Sequence, residues 1–209
     1  MRINQAQKAY TEIRKQLIAR NIEPGERLPE KEWSLQLNVN RADIRQAFAR
    51  LVGEGLLVAG DKGGVFVREF TEEQVIEYTE VRLILETAAA KLAIERATSE
   101  EVEMLEEICD HMDLMAENGY ALGARDVDLR FHEVLVKMSH NKEFIKLYRL
   151  ANLPLSINKS KIPQKEKEFL KRDAVEHRAI FDALRNKDVS KMVKLLSAGL
   201  ERLVSDINN

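Results

Sequence analysis

The run Asn38-Val39-Asn40-Arg41-Ala42-Asp43-Ile44-Arg45-Gln46-Ala47-Phe48 decides how the front of this chain is read. Asn40 carries a short acceptor side chain suited to a helix N-cap. Beyond it, Ile44, Phe48, Leu51 and Val52 recur at helical spacing and form a face to be buried. Arg41 and Arg45 are four apart and share a different face. The spacing predicts a helix over 41–54 with one side packed and the other offering long cationic donors.

Working outward, Asn38-Val39-Asn40 is a tight link from a short helix over 30–37, which carries Trp33 and Leu37 on one side. Asn21-Ile22-Glu23-Pro24-Gly25 stops an earlier helix over 6–20, striped by Ala9, Ile13, Leu17 and Ile18. On the other flank, Gly53 and Gly55 bracket the helix end, and the period changes. Leu56-Leu57-Val58 and Val65-Phe66-Val67 flank Gly60-Asp61-Lys62-Gly63-Gly64, a hairpin with a glycine-rich tip. Three short helices and a hairpin are the order of a winged helix-turn-helix. In such a fold, Arg41, Asp43, Arg45 and Gln46 face base edges and phosphates in a major groove. Lys31 on the preceding helix reaches phosphate, and Lys62, Gly63 and Gly64 bring the wing close to a groove. On an arbitrary amphipathic helix the two arginines would be ordinary solvated charges. The turn before them and the hairpin after them favour DNA.

Behind residue 70 no strand signal appears. Thr71-Glu72-Glu73-Gln74 opens a helix to about residue 97, and Thr98-Ser99-Glu100-Glu101 opens another that ends near Asn118-Gly119. Further helices are expected over 124–138, after Asn141, over 166–185 and over 189–207. Pro154 should kink or end the one that follows Asn141. The expected fold is mostly α: a winged helix-turn-helix over 1–69, then an all-helical antiparallel bundle over 70–209.

Bulk properties agree. The 209 residues are 44% hydrophobic and 33% charged, enough apolar content for real cores. No run of about 18 apolar residues suggests a membrane span. Met1-Arg2-Ile3-Asn4-Gln5 lacks the apolar core of a signal peptide, so a cytoplasmic location is expected. The single cysteine, Cys109, excludes an internal disulfide and a cysteine-rich zinc site. Net charge is only −2, but residues 1–70 hold 12 Lys/Arg against 9 Asp/Glu, and the remainder 21 against 26. A mildly basic front and an acidic rear suit a DNA-reading unit joined to one that avoids DNA.

In the rear, Asp128 and His132 stand at i and i+4 on one helix, and His177 lies on another. A carboxylate and two imidazoles on facing bundle helices form a donor set for zinc, nickel, manganese or iron. The pair alone also fits a hydrogen-bonded surface contact.

The front resembles the GntR family of bacterial transcription regulators. Pro24-Gly25-Glu26-Arg27-Leu28-Pro29-Glu30 looks like the family's opening turn, and residues 38–48 look like its recognition-helix signature. Asn40 stands where Ser or Thr is usual, and Asn38 where Gly is usual; both suit their positions. The resemblance implies that Arg41 and Arg45 contact DNA, that Lys31 sits at a basic contact position, and that the wing glycine enters the minor groove.

The rear resembles the FadR subfamily in its FCD form. Val81-Arg82-Leu83-Ile84-Leu85-Glu86, Asp128-Leu129-Arg130-Phe131-His132 with His140-Asn141, and Glu176-His177-Arg178-Ala179-Ile180 carry that likeness. It implies a divalent transition metal (zinc, nickel or manganese) on Asp128, His132 and His177. Gly199 stands where most metal-binding members have a further histidine, so the protein ligands number three, or the pocket binds its effector without metal. It also implies Arg82 as the anchor of an anionic effector, an alternative to a surface salt bridge with Glu86. The expected whole is a cytoplasmic homodimeric repressor on a pseudo-palindromic operator. A small carboxylate metabolite, an organic or sugar acid, would control it. A rival reading is a metal-dependent hydrolase or isomerase, for which Glu133 and Glu176 are the nearest candidate bases.

Overall fold

A computed structural model describes residues 5–18, 21–151 and 166–208. Chain contacts divide it into two units, one up to Thr71 and one from Glu72.

The first unit holds α1 (Gln5–Ile18), α2 (Glu30–Leu37), α3 (Arg41–Gly53), β1 (Leu57–Ala59) and β2 (Val65–Val67). Residues 19 and 20, expected at the end of α1, and Pro154 lie outside the described residues. Helix α1 buries Ala9, Ile13 and Leu17, and α3 buries Ile44, Ala47, Phe48 and Leu51, while Ile18 and Val52, expected on the same stripes, sit at their margins and are only half-buried. Tyr10 ties the two helices: its hydroxyl donates to Glu54, while Arg50 lies over its ring at 3.6 Å. Asn38 ends α2 in the left-handed region (φ 52), and the Asn40 side chain accepts from the Asp43 N–H at 2.9 Å. Strands β1 and β2 pair antiparallel, with Val58 opposite Phe66.

One part of this unit goes beyond the sequence reading. The segment after α1 is more than a helix breaker. Gly25 donates to Val67 O at 3.0 Å, Leu28 to Val65 O at 2.8 Å, and Val67 to Glu26 O at 2.9 Å. Residues 25–28 thus line the outer edge of β2, and Arg27 bridges Phe66.

The second unit is helical throughout its described residues: α4 (Glu72–Arg96), α5 (Ser99–Asn118), α6 (Ala121–Lys137), α7 (Lys142–Ala151), α8 (Glu166–Arg185) and α9 (Val189–Asn208). Thr98 and Glu101 close a reciprocal capping box on α5, and Gly119 ends it at φ 71. Helix α6 begins at Ala121, three residues earlier than expected, because Gly119 and Tyr120 alone make the link. The core is drawn from all six helices but α7 and includes Leu105, Ile108, Phe131, Leu135, Phe181 and Met192. Helix α7 packs on α4 through Tyr148 and Ala151, against Leu85 and Ala89. No described helix is long and apolar enough to cross a membrane.

Candidate nucleic-acid interface and candidate metal centre

On α3, packing of Ile44 and Phe48 turns Arg41 and Arg45 outward; their side chains are 61% and 65% exposed. Gln46 and, on α2, Lys31 are exposed as well, whereas Asp43 is half-buried at the capped first turn. Glu30, at the start of α2, holds both arginines: its Oε2 lies 3.2 Å from Arg41 Nη2 and 3.4 Å from Arg45 Nε. The wing tip is exposed at Lys62, Gly63 and Gly64, with the glycines at φ 87 and φ 93, where a side chain would be strained. Among the described residues nothing lies within 4 Å of a Cβ built at Gly63, while at Gly64 it would meet Arg27 Nε at 3.1 Å. Arg27 therefore brings an exposed cation to the wing, a feature hidden in the sequence because the pairing of residues 25–28 with β2 is tertiary.

In the second unit, α6 carries Asp128 and His132 and α8 carries His177 to a common point. Asp128 Oδ1 is 3.1 Å from His177 Nε2 and 3.7 Å from His132 Nε2, and the two Nε2 atoms are 3.1 Å apart. Donors about 2.0–2.2 Å from one zinc-like ion stand roughly 3.0–3.6 Å from each other, so the triangle has the size of a coordination face. Both imidazoles are buried, with Phe131 edge-on to each.

The outer nitrogens are also occupied. His177 Nδ1 lies 2.8 Å from the Asp173 carbonyl, which fixes the proton there. His132 Nδ1 lies 3.0 Å from Glu86 Oε2, close but not aligned as a hydrogen bond. With both Nδ1 atoms protonated, two Nε2 lone pairs would face each other at 3.1 Å. Only a cation or a shared proton relieves that, so the donor set fits a divalent metal. Charge tuning agrees. Burial alone would raise the Asp128 carboxyl, but the His177 hydrogen bond and the charges of His132 and Arg82 hold it far below the usual range. Burial pulls His177 down, yet the bond and charge of Asp128 push it up to about 9.

Arg82 departs from the surface reading. It does pair with Glu86, through Nε at 3.1 Å and Nη2 at 2.9 Å, but the pair is buried, with Glu86 at 0% exposure. The Tyr148 hydroxyl of α7 donates to the same Oε1 at 2.9 Å. Glu86 thus meets Arg82 with one oxygen and His132 with the other, and Arg82 Nη1 keeps no hydrogen-bond partner among the described residues. Spacing in the sequence points neither Glu86 nor Tyr148 at the candidate metal centre, because periodicity marks a face without naming what stands opposite.

Among the described residues, an added Cβ at Gly199 would meet only Arg202 Nη2, at 3.9 Å. That guanidinium forms a bidentate pair with Glu176, the residue before His177. The candidate bases of the enzyme reading are both engaged, Glu176 with Arg202 and Glu133 with Lys137. Arg130 is exposed; His140 instead meets the capping carboxylate of Glu101 at 2.9 Å.

Fold and sites together define a winged helix-turn-helix protein with an all-helical second unit built around an Asp-His-His centre. Residues 5–67 match the family described as bacterial regulatory proteins, gntR family, and residues 77–202 match the FCD domain. The chain belongs to the GntR family, in the form that carries an FCD domain. It is 31% identical over 148 residues to the HTH-type transcriptional regulator YdhC of Bacillus subtilis, covering 68% of this chain and 64% of that protein. It is 34% identical over 132 residues to the Nta operon transcriptional regulator of Aminobacter aminovorans, covering 63% and 62%. These two matches span less than two thirds of the relatives' own length. The galactonate operon transcriptional repressor of Escherichia coli K12 is 26% identical, with 90% of each chain covered. The solved structure of E. coli McbR/YncC superposes with a TM-score of 0.87 at 20% identity, over 99% of this chain and 98% of that one, a likeness of fold.

Proposed function

We propose that this chain is a FadR-type, cytoplasmic transcription repressor whose hold on operator DNA is set by a small carboxylate bound in its helical unit. Residues 1–69 form the DNA-binding domain and residues 70–209 the effector-binding and dimerisation domain. The observation that carries the reading is the outward presentation of Arg41 and Arg45 on a helix whose other face is locked into the core, beside a wing tipped by two glycines at positive φ. Arg41 and Arg45 read guanine edges and phosphate, with Asp43 and Gln46 beside them, while Lys31, Lys62, Gly63, Gly64 and Arg27 hold the backbone. Two copies place two recognition helices on a pseudo-palindromic site.

Asp128, His132 and His177 would hold zinc, nickel or manganese, leaving coordination positions open to water or a ligand carboxylate. The metal would supply a Lewis-acidic point for an effector oxygen. The chain's own contribution is Arg82, whose Nη1, without a partner among the described residues, offers a donor to an organic or sugar acid while Glu86 holds the rest of the guanidinium. Effector binding shifts repression only if it favours one arrangement of the DNA-binding domains over another.

Selection of bound fragments from a genomic library tests the core of this reading. The expected result is enrichment of a pseudo-palindrome, with Arg41→Ala losing about 1–3 kcal/mol of preference for it. Salt-sensitive binding with no sequence preference would overturn it.

A further inference from the structure

Glu86 of α4 is fully buried, and its two carboxylate oxygens serve different neighbours. Oε1 accepts from Arg82 Nε at 3.1 Å, from Arg82 Nη2 at 2.9 Å and from the Tyr148 hydroxyl at 2.9 Å. Oε2 lies 3.0 Å from His132 Nδ1. Among the described residues, neither of these two atoms has a hydrogen-bond partner, so each is the other's outlet. Their separation is already that of a hydrogen bond, and a turn of the imidazole within its broad χ2 well would align it. A carboxylate paired with a guanidinium is ionised, and an ionised carboxylate accepts without donating. The His132 proton therefore belongs on Nδ1, which leaves Nε2 a bare lone pair. Nε2 is the atom that faces Asp128 and His177. His177 reaches the same tautomer by another route, since its Nδ1 lies 2.8 Å from the main-chain carbonyl of Asp173. Substitution leaves that carbonyl in place, so of the two imidazoles only His132 depends on a side chain for its tautomer.

We propose that Glu86 is a positioning residue of the metal centre, holding His132 with its proton on Nδ1 and its Nε2 lone pair turned to the ion. Arg82 and Tyr148 in turn hold Glu86. This role rests on the metal reading above and adds what prepares His132 for the ion. It also gives α7 a part, since Tyr148 carries that helix to Glu86. The plainer use of Glu86 is as counter-ion to buried Arg82 alone, and Glu86→Gln separates the two. Arg82 and Tyr148 donate to the place of Oε1, so the amide oxygen of the glutamine settles there. Its amide nitrogen then falls beside His132 Nδ1 and can only donate. The His132 proton must move to Nε2, where it blocks the metal.

The test is long-range proton–nitrogen NMR on the isotope-labelled full chain, with zinc affinity measured in parallel by competition with a chromophoric chelator. The loss of signals in His132→Asn assigns that ring. Wild type should carry a proton on His132 Nδ1 with and without zinc, and should bind zinc through Nε2. Glu86→Gln should carry the proton on Nε2 instead and bind zinc about 10–100-fold more weakly. Circular dichroism checks that the variant is folded. Should it unfold, wild type still decides: zinc on Nδ1, or no proton there, overturns the proposal. A folded variant that keeps either the Nδ1 proton or the wild-type zinc affinity overturns it too, and leaves Glu86 as the partner of Arg82 alone. Wild type with the Nδ1 proton but no uptake of zinc, nickel or manganese overturns the metal reading and leaves the tautomer assignment standing.

Discussion

Glu30 stands between two arginines that the fold otherwise leaves in water. The pairs are exposed, so each is worth only about 0.2–1 kcal/mol. Under the proposed function their effect is on DNA, where a carboxylate among phosphate-seeking cations would lower affinity for any sequence alike. Glu30→Gln is expected to raise sequence-indifferent DNA affinity about two- to fivefold at low salt and to narrow the margin for the operator. Fluorescence anisotropy with operator and scrambled duplexes checks this, and unchanged scrambled affinity would refute it. His177 gives a pH prediction. Its metal-free pKa of about 9 exceeds the unfolded value of about 6.5. A raised folded pKa means stability fully present below about 6.5 and lost as pH rises through about 9. Metal must displace the same proton, so metal affinity moves the other way and grows over that interval. Thermal unfolding of metal-free protein should shift downward from pH 7 to 9, while zinc titrations tighten. Zinc affinity that stays flat over this range would contradict the assignment.

At the scale of elements, the helix ends were the most legible part of the sequence, because capping is local. Asn40 and the Thr98–Glu101 box act where their spacing put them, and Asn38 takes the left-handed turn its short amide tolerates. The Asp128, His132 and His177 convergence was legible only in part. Spacing put two ligands on one face of α6, but the approach of α8 is a tertiary fact. Arg82 shows the limit. Its i+4 partner was readable, yet that the pair is buried beneath Tyr148 follows from how α7 packs on α4. The Thr98 box has a measurable weight. Glu101 serves both the cap and His140, so it fastens the start of α5 to the corner after α6. Thr98→Ala should cost about 1 kcal/mol, seen as a lower urea midpoint with unchanged slope. An unmoved midpoint would show that the cap is redundant.

At the scale of the whole molecule, the two units differ in what they expose. The first presents its cations, whereas the second hides its chemistry, and Cys109 reports on the second. Burial within the α5 face pushes its thiol up to about 12, and its Sγ sits 4.0 Å from the His177 carbonyl. A thiolate reagent should therefore react with native protein only through opening of this unit, orders of magnitude more slowly than with the unfolded chain. Bound zinc should slow the reaction further, since it joins α6 to α8. Fast modification of native protein would place Cys109 nearer the surface. The first unit guards a different weakness. A two-stranded hairpin normally leaves both flanks with unsatisfied amides and carbonyls, and such flanks recruit strands from other chains. Residues 25–28 occupy the outer flank of β2. Under the proposed function, the wing can thus meet DNA without that flank becoming a seam for aggregation.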